Sequence, residues 1–135
     1  MQTQLVTSIQ DIDPEAWDSL TGDDDPFVEH AFLAALEDSG SVGRGTGWSP
    51  HHILVKDDGK LLAALPLYLK EHSYGEYVFD FGWANAAMRA GMRYYPKLVA
   101  MVPFTPATGR RFLFAPDVVP QQAVSRLLDG ALEVL

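Results

Sequence analysis

The sequence predicts a mixed α/β domain, a twisted and mostly antiparallel sheet flanked by helices. Three observations carry that reading. Two apolar runs, 51–56 and 60–70, are joined by Asp57-Asp58-Gly59, which is hairpin turn chemistry. Strict alternation over 76–81 gives way to helical spacing at Trp83, Ala87 and Ala90, then to an apolar run over 97–102. A strand, a short helix and a second strand in that order make a βαβ unit with a right-handed crossover, placing 76–81 beside 97–103 in parallel. Two cap-then-proline pairs, Asp13-Pro14 and Asp25-Pro26, open helices earlier in the chain.

Taken in order, residues 4–9 form a short first strand. A short helix follows, with Asp13 as cap, Pro14 at the first position and Ile12 set to staple against Trp17. The second helix runs from Pro26 to about Asp38, with Phe27, Ala31 and Ala34 as its apolar stripe and Val28, Phe32, Ala35 and Leu36 beside it. Residues 39–50 form a glycine-rich irregular loop. The hairpin comes next, and its second strand reads as central because it is almost wholly apolar, with Pro66 marking a bulge. Residues 72–75 turn the chain into the 76–81 strand, and Gly91 lies near the end of the helix after it. Beyond Pro106 come a Gly-Arg-Arg loop, a short strand at 112–114, and a helix opened near Pro120. The stripe of that helix is Val124, Leu127, Leu128, Ala131 and Leu135. The expected order is therefore β-α-α-β-β-β-α-β-(short β)-α.

At 135 residues the chain suffices for one domain with a real core. An apolar content of 47% with 21% charged residues is that of an ordinary globular protein. No run approaches the roughly 20 apolar residues of a membrane-spanning helix, and with no basic region followed by an apolar one after Met-Gln-Thr-Gln no signal peptide is expected. With no cysteine there is no disulfide, thiolate nucleophile or cysteine metal site, and the expected location is cytoplasmic. The formal net charge of −8 speaks against a nucleic-acid surface, and Arg110-Arg111 is the only adjacent basic pair.

Several residues invite a chemical reading, and each has a plainer one. Asp23 to Asp25 resembles a metal cluster, but such a run is ordinarily a solvated turn favoured by the next helix dipole. Gly43-Arg44-Gly45-Thr46-Gly47 resembles a phosphate loop, yet it follows a helix and precedes a strand, the reverse of that motif. It reads instead as a flexible loop or a lid. His51 and His52 are strand neighbours, so they face opposite ways and cannot share an ion. No metal site is expected. Glu76 and Asp80 lie on the strand face opposite Tyr77, Phe79 and Phe81, roughly 13 Å apart at ~3.3 Å per residue. Either they serve a ligand as a base, or they are surface partners of Lys70, Arg89 or Lys97. Tyr94 and Tyr95 are candidate acids or a packed connection, and Trp83 a stacking platform or core. Strand-end geometry puts a ligand near Asp80, Trp83 and Thr105, with His72, Tyr94, Tyr95 and Lys97 lining the same site.

The element order is similar to the first part of the GNAT acyltransferase fold. Particular phrases resemble a Fem-like, peptidoglycan-bridge branch of it. They are Pro26-Phe27 with His30-Ala31-Phe32-Leu33, Leu36-Glu37 with Ser39-Gly40-Ser41, and Gly47-Trp48 with Pro50-His51. Pro66-Leu67-Tyr68-Leu69-Lys70, His72-Ser73 and Gly75-Glu76-Tyr77-Val78-Phe79-Asp80 continue the match. Trp83-Ala84, Tyr94-Tyr95-Pro96-Lys97-Leu98 and Pro103-Phe104-Thr105-Pro106 with Gly109 complete it. The resemblance implies an enzyme that moves an acyl or aminoacyl group onto an amine, in cell-wall peptide metabolism. It also implies that residues 1–135 are one domain, the first half of a longer two-half protein, with acyl-CoA or aminoacyl-tRNA as the whole protein's donor. Where GNAT enzymes carry a glycine loop for the coenzyme A pyrophosphate, this chain reads Phe81-Gly82-Trp83-Ala84-Asn85-Ala86. The closing strands of the fold are expected to be missing as well. This piece is therefore expected to hold no cofactor and to be inactive alone. Its expected partners are the second half, a small-molecule or peptide acceptor and, through the bare edge of the 97–102 strand, a second copy in a homodimer. A non-catalytic binding module on the same fold is the alternative.

Overall fold

The computed structural model describes residues 1–22, 25–72, 81–92, 95–104 and 109–134, the side chains of 81–84 excepted. Its elements are β1 (Gln2–Val6), α1 (Pro14–Asp18), α2 (His30–Asp38), β2 (Trp48–Pro50), β3 (His52–Asp57) and β4 (Lys60–Leu65). They continue as β5 (Tyr68–Lys70), α3 (Phe81–Arg89), β6 (Lys97–Val99), β7 (Leu113–Phe114) and α4 (Pro120–Val134). Among the described residues the strands form two sheets, β1-β3-β4-β7 and β2-β5-β6, with every pair antiparallel. The mixed α/β class is as the sequence predicts, with two sheets where one was expected.

The β3–β4 hairpin follows from its turn. Asp58 and Gly59 have φ of 49° and 78°. Two successive positive values define the tight turn whose twist matches paired strands, and Asp-Gly tolerates them. The register slips between Val55 and Lys56, leaving Leu62 as an extra residue. The Leu62 carbonyl accepts instead from Ala115 N at 2.9 Å, beside the short β7.

Helices cover both faces of the first sheet. Ile53, Val55, Ala63 and Leu65 pack with Ala123 and Leu127 of α4. Leu54, Ala64 and Leu113 pack with Ile9, Trp17 and Leu33 on the other side. Covering both faces buries 52 to 55 without interruption, although the sheet is antiparallel. Gly130 brings α4 close, since a Cβ there would stand 2.7 Å from both Ile53 Cγ2 and Thr3 Cγ2.

The first helices form largely as read. The Asp13 carboxylate accepts from Ala16 N at 3.0 Å, and Pro14 opens α1. Ile12 and Trp17 are buried in one cluster, and Trp17 Nε1 donates to the Val28 carbonyl at 2.7 Å. Gly91, with φ of 72°, ends α3 in a Schellman turn closed by Met92 N donating to Ala87 O at 2.8 Å.

Other boundaries differ. The first strand stops at Val6, because Ser8 caps a 3-10 turn over Ile9–Asp11 instead of extending the ladder. Asp25 caps a separate 3-10 turn, Pro26–Val28, and α2 begins only at His30. The buried face of α2 is therefore His30 and Leu33, while Ala31 and Ala35 are exposed. The run 60–70 is two strands in two sheets. Pro66 has no amide for a ladder, so the chain leaves β4 there and re-pairs from Tyr68 onward. The run 97–102 yields only the three residues of β6, antiparallel to β5 and, among the described residues, at the edge of the second sheet. A strand covered on both faces was expected, but all three residues of β6 are half-buried. The 76–81 strand and its parallel pairing lie outside the described residues. In α4 the buried positions are Ala123, Leu127 and Gly130, with Leu128 and Leu132 exposed, because the glycine sets which side can approach the sheet.

Candidate functional site

The two sheets meet where the chain steps between them twice, at Pro50-His51-His52 and at Leu65-Pro66-Leu67-Tyr68. The seam is stitched by His51 N donating to the Leu67 carbonyl at 2.9 Å, and by Leu67 N donating to His52 Nδ1 at 3.1 Å. The second bond settles the histidine's tautomer. With Nδ1 accepting, the proton of neutral His52 sits on Nε2. Burial, reinforced by nearby His51, holds the His52 pKa down at about 4, so the ring stays neutral.

Polar-tipped aromatics gather around it. The Tyr68 ring meets His52 edge-on at 5.6 Å between centroids, and meets Trp48 at the same distance. Trp17 lies 6.0 Å from His52 on the far side. Lys70, wholly buried, places Nζ 4.5 Å from the Trp48 ring centroid. Two buried polar atoms of the seam, His52 Nε2 and the Tyr68 hydroxyl, make no hydrogen bond. Burial raises the Tyr68 pKa above the usual phenol value, and the Glu37 carboxylate adds to the effect.

Tyr68 also lines a crevice with Phe27, Pro66, Met101, Arg110 and Arg111. Its free volume is about 10 Å³, roughly that of one water. The arginines are held in place by backbone carbonyls. Arg110 donates to Thr21 O, and Arg111 Nε donates to Ala100 O at 2.9 Å. Asp25 fixes their loop, with Oδ2 accepting from Arg110 N at 3.0 Å and Oδ1 from Phe27 N at 3.1 Å. Phe104, half-exposed at φ of 66°, lies 5.2 Å from Trp48. A left-handed backbone is costly for a bulky residue, and such positions cluster at functional sites. A roomier concavity, about 520 Å³ between Met1 and α4, is a broad surface dish. It exposes Gln121, Gln122, Ser125, Arg126 and Asp129 to solvent and encloses no buried polar group, so the smaller crevice is the better chemical candidate.

Of the site residues expected from the sequence, Glu76, Asp80, Tyr94 and Thr105 lie outside the described residues, and Trp83 is placed by its backbone alone, in α3. The other three gather at one end of the second sheet. Lys70 and Lys97 are register partners, so His72 and Tyr95 flank that pair. His72 Nε2 donates to the Thr46 carbonyl at 3.0 Å, and Lys97 Nζ lies 5.2 Å from the Tyr95 ring centroid. The glycine loop is folded against this end. A Cβ on Gly47 would stand 2.1 Å from His72 Nε2, which explains a glycine there. Thr46 Oγ1 accepts from Trp48 N, and Gly43 N donates to Trp48 O, so these loop groups serve the turn itself rather than a phosphate.

His52, Tyr68, Trp48 and the arginine pair were not expected as site residues. The available signal was Tyr68 and Lys70, two polar-tipped residues spaced to share one face of an otherwise apolar run. The described residues hold no group of three His, Asp or Glu placed to bind a metal. No described helix is long and apolar enough to cross a membrane.

A protein-family model described as FemAB-like, peptidoglycan biosynthesis/recognition, matches residues 8–135. No curated protein and no solved structure matches the chain.

Proposed function

The chain belongs to the FemAB-like family of peptidoglycan biosynthesis/recognition, and on that premise we propose that it supplies the acceptor-binding half of a transferase. The group transferred is acyl or aminoacyl, delivered from acyl-CoA or aminoacyl-tRNA by a second half of a longer GNAT-like protein in the cytoplasm. The acceptor is an amine of a cell-wall peptide. The amine nitrogen attacks the donor carbonyl, loses its proton to a base, and the departing thiol or ribose hydroxyl takes a proton. Glu76 and Asp80 are the proposed bases and Tyr94 or Tyr95 the proposed acid. His72, Trp83, Lys97 and Thr105 are assigned to acceptor binding.

One observation carries the reading. The seam presents hydrogen-bond donors, with Tyr68, whose hydroxyl has no partner, in the wall of a crevice that two anchored arginines line. Such a surface suits a peptide, which offers carbonyls and a carboxylate. The test is incubation of the native protein with a soluble muropeptide and each donor in turn, with the peptide amine followed by mass spectrometry. A mass increase with one donor is expected.

A second reading, a binding module without chemistry, has its own support. The buried histidine of the seam is held as a neutral donor with its pKa at about 4, which makes it a poor base. Muropeptide binding without any adduct from either donor would select this reading.

A further inference from the structure

We infer that the Tyr68 crevice is a carboxylate subsite, into which one oxygen of a small carboxylate, such as a peptide C-terminus, enters to accept from the Tyr68 hydroxyl. The inference rests on the acceptor-binding reading and names the part of the acceptor that this seam holds. Three constraints lead to it. The first is size. With about 10 Å³ free, the crevice admits one oxygen and excludes a whole side chain, so the remainder of the ligand lies outside the mouth. The second is the unused bonding capacity of the wall. Tyr68 is 1% exposed, yet its hydroxyl has no partner. A buried hydroxyl in that state is unfavourable unless something else completes it.

The third is charge. Among the described residues, Arg110 and Arg111 line the crevice and no carboxylate does. Two described carboxylates of this region are already engaged. Asp25 accepts from two backbone amides, while Glu37 accepts from Ser8 Oγ at 2.6 Å and Ile9 N at 2.8 Å. In a chain of net charge −8, two arginines in the wall of a crevice that Tyr68 also lines mark a place for an anion. A cation is disfavoured by the same arginines.

The probes are N-acetyl-alanyl-alanine and its C-terminal amide, titrated into the chain by calorimetry and followed by amide NMR. The acid is expected to bind at least about tenfold more tightly than the amide, as a charge-assisted bond requires. Tyr68→Phe is expected to weaken the acid by about tenfold and leave the amide unchanged, with the circular dichroism spectrum retained. Arg111→Gln, a surface change that spares the core, is expected to lower the acid's affinity and its salt dependence. Equal binding of acid and amide would overturn the inference, as would an undiminished affinity in Tyr68→Phe or no binding of the acid at millimolar concentration. A muropeptide that binds wild type and Tyr68→Phe alike would remove this subsite and keep the acceptor-binding function. A muropeptide that binds neither would remove both.

Discussion

Tyr68→Phe should make the free chain more stable. The tyrosine is fully buried, its hydroxyl has no partner, and its ring packs edge-on against Trp48 and His52. Phenylalanine keeps those ring contacts and removes one oxygen. Leaving a polar group buried and unsatisfied costs about 1–3 kcal/mol, so a gain of about 1 kcal/mol is a conservative expectation. With unfolding entropy near 2 cal/mol/K per residue, a chain of 135 residues converts that into a rise in Tm of about 3–4 °C. Thermal unfolding followed by circular dichroism reads it directly. Alkaline behaviour gives a second check. Because the folded pKa of Tyr68 is raised, its stabilising share is complete below the unfolded phenol value near 10 and is lost as pH rises through the folded one. The variant should therefore resist high pH better than wild type. A Tm lowered by a similar amount would refute the reasoning, since it would mean that the hydroxyl is satisfied in the folded chain.

His52 predicts the opposite limb of the pH profile. Its pKa falls from 6.5 unfolded to about 4 folded, so its contribution is whole above pH 6.5 and is lost progressively down to about 4. That amounts to on the order of 3 kcal/mol. Urea titrations at several pH values should show the slope, and His52→Gln should flatten it. Gly130→Ala adds a methyl 2.7 Å from Ile53 and Thr3, and the strain of about 1–3 kcal/mol should outweigh the ~1 kcal/mol gained in helix propensity. A lower denaturation midpoint is expected. Asp25→Ala removes the acceptor of both Phe27 N and Arg110 N, which should cost about 1–2 kcal/mol and broaden the Arg110 amide in NMR spectra. For assembly, a homodimer through the edge of β6, open among the described residues, is expected from light scattering. A monomer would show that an edge of three residues is short enough to stay unpaired.

Much of the fold was legible wherever a local rule acts alone. Asp57-Asp58-Gly59 specified its hairpin through backbone conformation, and Asp13-Pro14 specified the start of α1 through a cap and a fixed φ. Gly91 ended α3 for the same kind of reason. The misreadings arose where a distant partner decided. Nothing in 60–70 says that its last three residues pair with 48–50, because the exchange of sheets is set by which strands remain open after the hairpin closes. The stripes of α2 and α4 were drawn from apolar residues alone. The real faces are centred on His30, which shares its Nε2 proton between Ile9 O and Ile12 O at 2.9 Å each, and on Gly130. A histidine and a glycine carry no apolar signal, so periodicity placed Leu127 and Ala131 on the packed side of α4 but missed Gly130, and in α2 missed His30 and Leu33.

The candidate site was hidden for a related reason. Sequence reasoning looks for polar residues where they stand out, and it settled on Glu76 and Asp80 in an alternating strand. Tyr68, His52 and Lys70 are polar at their tips only, and each sits in a run whose other members are core residues. Their chemistry emerges from being sealed in. In water the Tyr68 hydroxyl and the His52 N–H would be satisfied by solvent and of no interest. At the seam, where Leu67 N claims His52 Nδ1 and both rings are buried, the same atoms become donors without acceptors. A core selected for stability alone would have had phenylalanine at 68, since the fold uses the ring and not the oxygen. A tyrosine kept there at a cost in stability is better explained by something the folded chain binds than by the folding of the chain itself.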